Sequence, residues 1–188
     1  MVFYRRRLPH WFPDRSIIFV TGRLAGSAPP STPEILTAEN TGRIPFHVRD
    51  QWLDQCSSGP FWLQDARIAK IVQDALQYGA AVSRSYDLHA WAIMPNHVHA
   101  VWEPFIPMPA IMRWLKGRTS RIANRVLGRS GRAFWQDESY DRWIRSPREM
   151  EDAIRYVEGN PVKAGLASTE EQWAWSSARF RAVDQGNP

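Results

Sequence analysis

The sequence predicts an α+β fold, an antiparallel sheet packed with amphipathic helices, and three observations predict it. Short β-branched and aromatic runs alternate with longer stretches whose apolar residues recur every three or four positions. Two strand-like runs, 86–94 and 97–103, are separated only by Pro95-Asn96, a turn that folds them into an antiparallel hairpin. The chain has 188 residues, 44% of them hydrophobic, with ten Trp and eight Phe. That is enough to fill one core and too much for wholesale disorder.

Each element has its own signal. Residues 1–15 read as a basic arm containing Arg5, Arg6 and Arg7, and "SIIFVTGRL" (16–24) as the first strand of the domain. A Gly/Pro/Ser loop opens at 25, and 25–60 reads as a variable insertion of loop and short helix. Over 61–82, Ile68, Ile71, Val72, Ala75 and Leu76 fall on one helical face. A second helix, 108–128, carries Lys116, Arg118, Arg121 and Arg125 three or four residues apart, a stripe suited either to phosphates or to water. Residues 133–146 alternate as a fourth strand. Ser146, Pro147 and Glu149 then occupy the N-cap, N1 and N3 positions of a helix over 146–160, which Pro161 is expected to end. The order β-α-β-β-α-β-α is a ferredoxin-like, RRM-like split β-α-β-β-α-β unit followed by one more helix. The expected organisation is an arm (1–15), a single domain (16–178) and a tail (179–188).

Composition narrows the function. Twenty-four Lys and Arg against 19 Asp and Glu give a net charge of +5, with arginines interleaved among aromatics. This fits a polyanion, nucleic acid before membrane, though charge alone is equally compatible with a basic protein that has no such partner. No apolar run reaches the roughly 18 residues of a membrane span, and the N-terminus shows no signal-peptide pattern. The single Cys56 leaves no internal disulfide and fits a reducing, cytoplasmic setting.

The chemistry concentrates in "MPNHVHAVWEP" (94–104). His97 and His99, two of only five histidines, stand at i and i+2 on a strand and so emerge on one face, where two imidazoles can chelate one divalent metal. The plain alternative is a pair of hydrogen-bonded histidines without a ligand. A third donor is needed, and the last helix offers one. Tyr156 and Asn160 are four residues apart and share a helix face. Asn160 brings a carbonyl oxygen suited to a hard cation, and Tyr156 a phenol that could attack a phosphodiester; a core aromatic is the plain reading of Tyr156. Tyr140 is a rival nucleophile, but it sits in a strand segment with no ligand-type residue four positions on.

The segments "WAIMPNHVHAVWEP", "LKGRTSRIANRVLGRSGRAFWQDESYDRWIR" and "IRYVEGNPVKAGL", in this order, resemble the single-tyrosine HUH transposases, and most of all their REP-associated branch. The resemblance spans about residues 16–178 and is weakest over 25–60. It implies that His97 and His99 bind Mg²⁺ or Mn²⁺, that Tyr156 is the nucleophile, and that Asn160 completes the metal site, where members of the wider family carry Gln. It further implies a bacterial, nucleoid-associated enzyme that cleaves and rejoins single-stranded DNA with hairpin structure through a 5′-phosphotyrosine, as a monomer or homodimer and without a membrane. Other readings have sequence tests. A histidine-nucleophile His-x-His-x-His enzyme needs a third histidine where Val101 stands. A hairpin-binding protein that has lost catalysis would not need Tyr156 and both histidines. A metallophosphoesterase without a covalent step would usually show more carboxylates.

Overall fold

In the computed structural model, the chain is described over residues 2–5, 9–12, 16–27 and 59–185. Val2–Arg5 (β1) and Pro9–Phe12 (β2) pair antiparallel as a separate two-stranded ribbon, so the segment expected as a plain arm contains local structure. Arg6, Arg7, Cys56 and nearly all of the insertion expected at 25–60 lie outside the described residues.

The sheet of the domain comprises Ile17–Arg23 (β3), Tyr86–Ile93 (β4), His97–Pro104 (β5) and Tyr140–Ile144 (β6), in the order β4-β5-β3-β6 with every neighbouring pair antiparallel. This is the α+β arrangement the element order predicts. The hairpin between β4 and β5 is as tight as its turn residues require: Ile93 pairs with Val98, and the Met94 amide donates to the His97 carbonyl. Leu24 and Leu63 donate to the carbonyls of Asn96 and Pro95, which ties the turn to both flanks.

Strand alternation splits the sheet into two faces. On one, Ile18, Val20, Val98, Ala100 and Trp102 pack against two helices, Ala66–Ala81 (α1) and Met108–Val126 (α2), in the larger core. On the other, Phe19, Ala90, Ala92 and Val101 pack against Ala153 and Val157 of Pro147–Lys163 (α3). The alanines at 90, 92 and 153 leave room for α3 to lie close on the sheet. Ser177–Gln185 (α4) follows a short turn and runs along the outer edge of β4.

Four expectations change. The helix expected over 61–82 opens with a 3-10 turn, Trp62–Gln64, and becomes α only from Ala66, because Asp65 caps it by accepting from the Arg67 amide. The strand expected over 133–146 pairs only at Tyr140–Ile144, with an isolated bridge from Trp135 to Leu24 before it. Helix α3 does not stop at Asn160; it runs through Pro161 to Lys163. Proline removes only its own bond to the carbonyl four residues back, and one missing rung is tolerated where Ala164 and Leu166 close the end by donating to Asn160 and Pro161. The tail expected at 179–188 belongs largely to α4.

Candidate functional site

His97 and His99 leave β5 on the face turned to α3, as Val101 does two residues on, and both are fully buried. Their Nε2 atoms stand 2.9 Å apart. Each Nδ1 has its own partner: Asn96 Oδ1 at 2.6 Å for His97 and Thr21 Oγ1 at 2.8 Å for His99. Thr21 is His99's cross-strand neighbour on β3, and Asn96 is the residue that closes the hairpin. The sheet register and the turn therefore orient both rings.

Asn96 selects the tautomer of His97, while Thr21 leaves that of His99 open. An Asn96 carbonyl oxygen accepts from His97 Nδ1–H, which leaves the lone pair of a neutral His97 on Nε2. The Thr21 hydroxyl can donate or accept. When it accepts, His99 also presents its Nε2 lone pair; when it donates, His99 Nε2–H can bond to His97. A rotating hydroxyl thus lets the pair close on itself or open to a ligand. Two nitrogens bound at right angles to one ion, each at about 2.1 Å, would stand about 3 Å apart, close to the observed spacing. Imidazoles oriented through their far nitrogens are the usual form of histidine metal ligands. The pair therefore fits a divalent ion.

Helix α3 brings up the other two residues. The Tyr156 ring stands edge-on to His99 with centroids 6.1 Å apart, and edge-on to Phe19 at 6.2 Å. One turn later Asn160 is 1% exposed on the same flank of the helix. Among the described residues no group of three or more His, Cys, Asp or Glu is placed to hold a metal; Asn160 and Tyr156 carry an amide and a phenol oxygen on α3. Lys163, two turns beyond Tyr156, holds its ammonium 4.6 Å from the centre of the tyrosine ring.

The structure thus brings together His97, His99 and Tyr156 from among the residues singled out in the sequence, and Asn160 follows one turn after Tyr156 on α3. Tyr140 lies on the same face, because His99, Thr21 and Tyr140 form one row across β5, β3 and β6. Its backbone is two strand spacings, about 10 Å, from that of His99. The cationic residues of α2 are elsewhere. Arg118, Arg121 and Arg125 are exposed on α2, beyond the opposite face of the sheet. Lys116 donates to the carbonyls of Gln136 and Asp137 at 2.9 Å each, which holds down the segment before β6. Arg118 lies against the stacked rings of Tyr78 and Trp114. Arg5 falls on β1, where only the backbone is described. Thr21 and Asn96 were not legible as site residues; Asn96 read only as a turn former, and Thr21 acquires its role from the strand register.

Comparison with known proteins gives matches of three kinds. Residues 63–160 match the family model described as "Transposase IS200 like", a stretch that contains both histidines, Tyr156 and Asn160. The REP-associated tyrosine transposase of Escherichia coli (strain K12) is 24% identical over 95 residues, 50% of this chain and 55% of that protein. The match therefore spans about half the length of the curated relative. The fold is similar to that of a solved REP-associated tyrosine transposase bound to a REP hairpin, with a TM-score of 0.63 at 17% identity over 100% of this chain and 89% of the other.

Proposed function

The chain belongs to the IS200-like transposase family, and from that premise we propose that it is a metal-dependent single-stranded DNA endonuclease and strand transferase. It would act on hairpin-forming repeat DNA through a covalent 5′-phosphotyrosine intermediate. The observation that carries this reading is the convergence of a tyrosine and a buried, hydrogen-bonded histidine pair, with Tyr156 edge-on to His99 at 6.1 Å. The hairpin is proposed because a relative of like fold is described as bound to one.

His97, His99 and Asn160 would hold Mg²⁺ or Mn²⁺. When bound, the ion supplies positive charge beside a scissile phosphate and polarises its oxygen. The residues of this chain do the rest. Tyr156 Oη attacks the phosphorus, the bond to O3′ breaks, and the departing 3′ oxygen takes a proton as the phenol gives one up. Attack by another 3′-hydroxyl reverses the step and rejoins strands, with the bond energy kept in the ester. The Lys163 ammonium stands over the face of the Tyr156 ring, a cation–π contact that helps hold the ring in place. Burial of the histidines excludes water from the ring nitrogens and keeps the imidazoles in place. The expected assembly is a monomer or a homodimer, and the expected setting the bacterial cytoplasm, at the nucleoid. No helix among the described residues is long and apolar enough to cross a membrane.

The test is an adduct assay on single-stranded DNA carrying the hairpin repeats beside the gene, with Mn²⁺ or Mg²⁺. The wild type is expected to give a denaturation-resistant protein–DNA adduct that requires the metal. Tyr156→Phe is expected to abolish it, and Tyr140→Phe to retain it. Tight hairpin binding with no adduct under either metal would identify a binding protein on the same fold, and an adduct that persists in Tyr156→Phe but not Tyr140→Phe would move the nucleophile to β6.

A further inference from the structure

The segment after α3 folds back along the outer edge of β4 and bonds to it at successive residues. The Ile93 amide donates to the Trp175 carbonyl at 2.8 Å, and Trp173 Nε1 donates to the Ile93 carbonyl at 3.0 Å. Ser176 bridges to Ala92. The Ser177 hydroxyl accepts from the Trp91 amide at 3.0 Å, and Arg181 donates to the His89 carbonyl. Covering an edge strand in this way is common protection for a sheet, but here the cover also grips α3. Ser177 Oγ donates to Glu158 Oε1, and the Arg181 guanidinium stands 3.3 Å from the same oxygen. Glu158 is only 6% exposed; burial raises its carboxyl above the ordinary value, and the Ser177 hydroxyl and Arg181 guanidinium offset part of that cost.

Helix geometry gives this grip a consequence. Val157 points into the sheet, fully buried in the small core. At 100° per residue, Tyr156 lies on one side of Val157 and Glu158 on the other, with Asn160 on the Tyr156 side. The Glu158 side is tied to the edge of β4 and the Tyr156 side meets His99. Rotation of α3 about its own axis is thus the motion that the tie opposes. A rotation of about 10° moves a side-chain tip about 6 Å from the axis by about 1 Å, and a 1 Å misplacement of a reacting group can cost on the order of a hundredfold in rate.

We propose that Glu158, Ser177 and Arg181 are positioning residues, a latch that sets the roll of α3 and through it the aim of Tyr156 and Asn160 at the histidine pair. The proposal rests on Tyr156 as nucleophile. Ser177 and Arg181 lie beyond the stretch that the family model matches.

The experiment compares wild type, Ser177→Ala, Ser177→Thr, Glu158→Gln and Arg181→Ala in three measurements. These are the single-turnover rate of adduct formation on a hairpin oligonucleotide with a single-stranded flank in Mn²⁺, the Kd for that oligonucleotide, and amide hydrogen exchange in α3 and α1. Ser177→Ala is expected to slow adduct formation by about tenfold or more with Kd within about twofold, and to speed exchange in α3 while α1 is unchanged. Ser177→Thr, which keeps the hydroxyl, is expected to recover part of the rate. Exchange that rises equally in α1 and α3, or an adduct rate equal to wild type in Ser177→Ala, Glu158→Gln and Arg181→Ala alike, would overturn the proposal. If the wild type itself forms no adduct, the nucleophile assignment fails. The latch is then judged by exchange alone: a rise confined to α3 upholds it as the seat of that helix, and a rise spread over the molecule removes it.

Discussion

Gly79 and Gly22 are both buried, for opposite reasons. A β-carbon on Gly79 would stand 2.1 Å from the Tyr86 hydroxyl oxygen, which donates to the Leu76 carbonyl at 2.8 Å and cannot retreat without giving up that bond. Burial pushes this hydroxyl well above its ordinary titration range, so it stays a donor at any practical pH. A β-carbon on Gly22 would meet no heavy atom within 4 Å. Gly79→Ala is expected to lower unfolding free energy by about 1–3 kcal/mol despite the better helix propensity of alanine. Gly22→Ala is expected to raise it by about 0.5–1 kcal/mol, chiefly by restricting the unfolded chain. Urea unfolding of the two variants checks both signs. At this scale the sequence was informative where alternation alone decides a direction: the common face of His97 and His99 needed only a strand. It was silent on Thr21, whose contact with His99 joins residues 78 apart and depends on a strand register that no local pattern displays.

At the scale of elements, the helix starts carry measurable signs. Asp65 caps α1, and its carboxyl is held below its ordinary value of 3.8 by hydrogen bonds first from the Arg67 side chain and then from the Arg67 amide. A carboxyl depressed in the folded state contributes stability that is fully present above its unfolded value and is lost as pH falls through the depressed one. Thermal melts from neutral pH down through that window should therefore fall more steeply for wild type than for Asp65→Asn, which keeps a cap but does not titrate. Helix α3 opens on Ser146, which accepts from the Glu149 amide at 3.2 Å, while Glu149 accepts from the Arg145 amide at 2.8 Å. Ser146→Ala is expected to lower stability by about 1 kcal/mol, again read from urea midpoints. This start was legible because a cap is a local pattern. The end of α3 was not, because whether a helix survives a proline depends on what closes the turn beyond it. Nor was α4, since residues 173–181 take their conformation from the edge of β4, some 86 residues away at the Ser177–Trp91 contact.

Over the whole molecule, the sheet separates the proposed chemistry from much of the positive charge. Arg121 and Arg125 are exposed on α2, on the far side of the sheet from the histidines. If they contact phosphates, replacing both with alanine should weaken binding of hairpin oligonucleotides of any sequence and reduce the slope of log K against log salt by about 2. A slope equal to wild type in a salt titration would make them a solvated face. The two sides also differ in cover. Four strands about 4.8 Å apart make a sheet roughly 19 Å wide, and a helix is about 10–12 Å across. Two helices roof the α1–α2 side. Among the described helices only α3 lies across the other, over β4 and β5, with Tyr156 at its inner margin. Phe19 of β3 and Ile144 of β6 are nonetheless buried in the same cluster as Ala153 and Val157 of α3. One helix thus closes on this side what takes two on the other, so any outward movement of α3 would uncover the histidines and the tyrosine together.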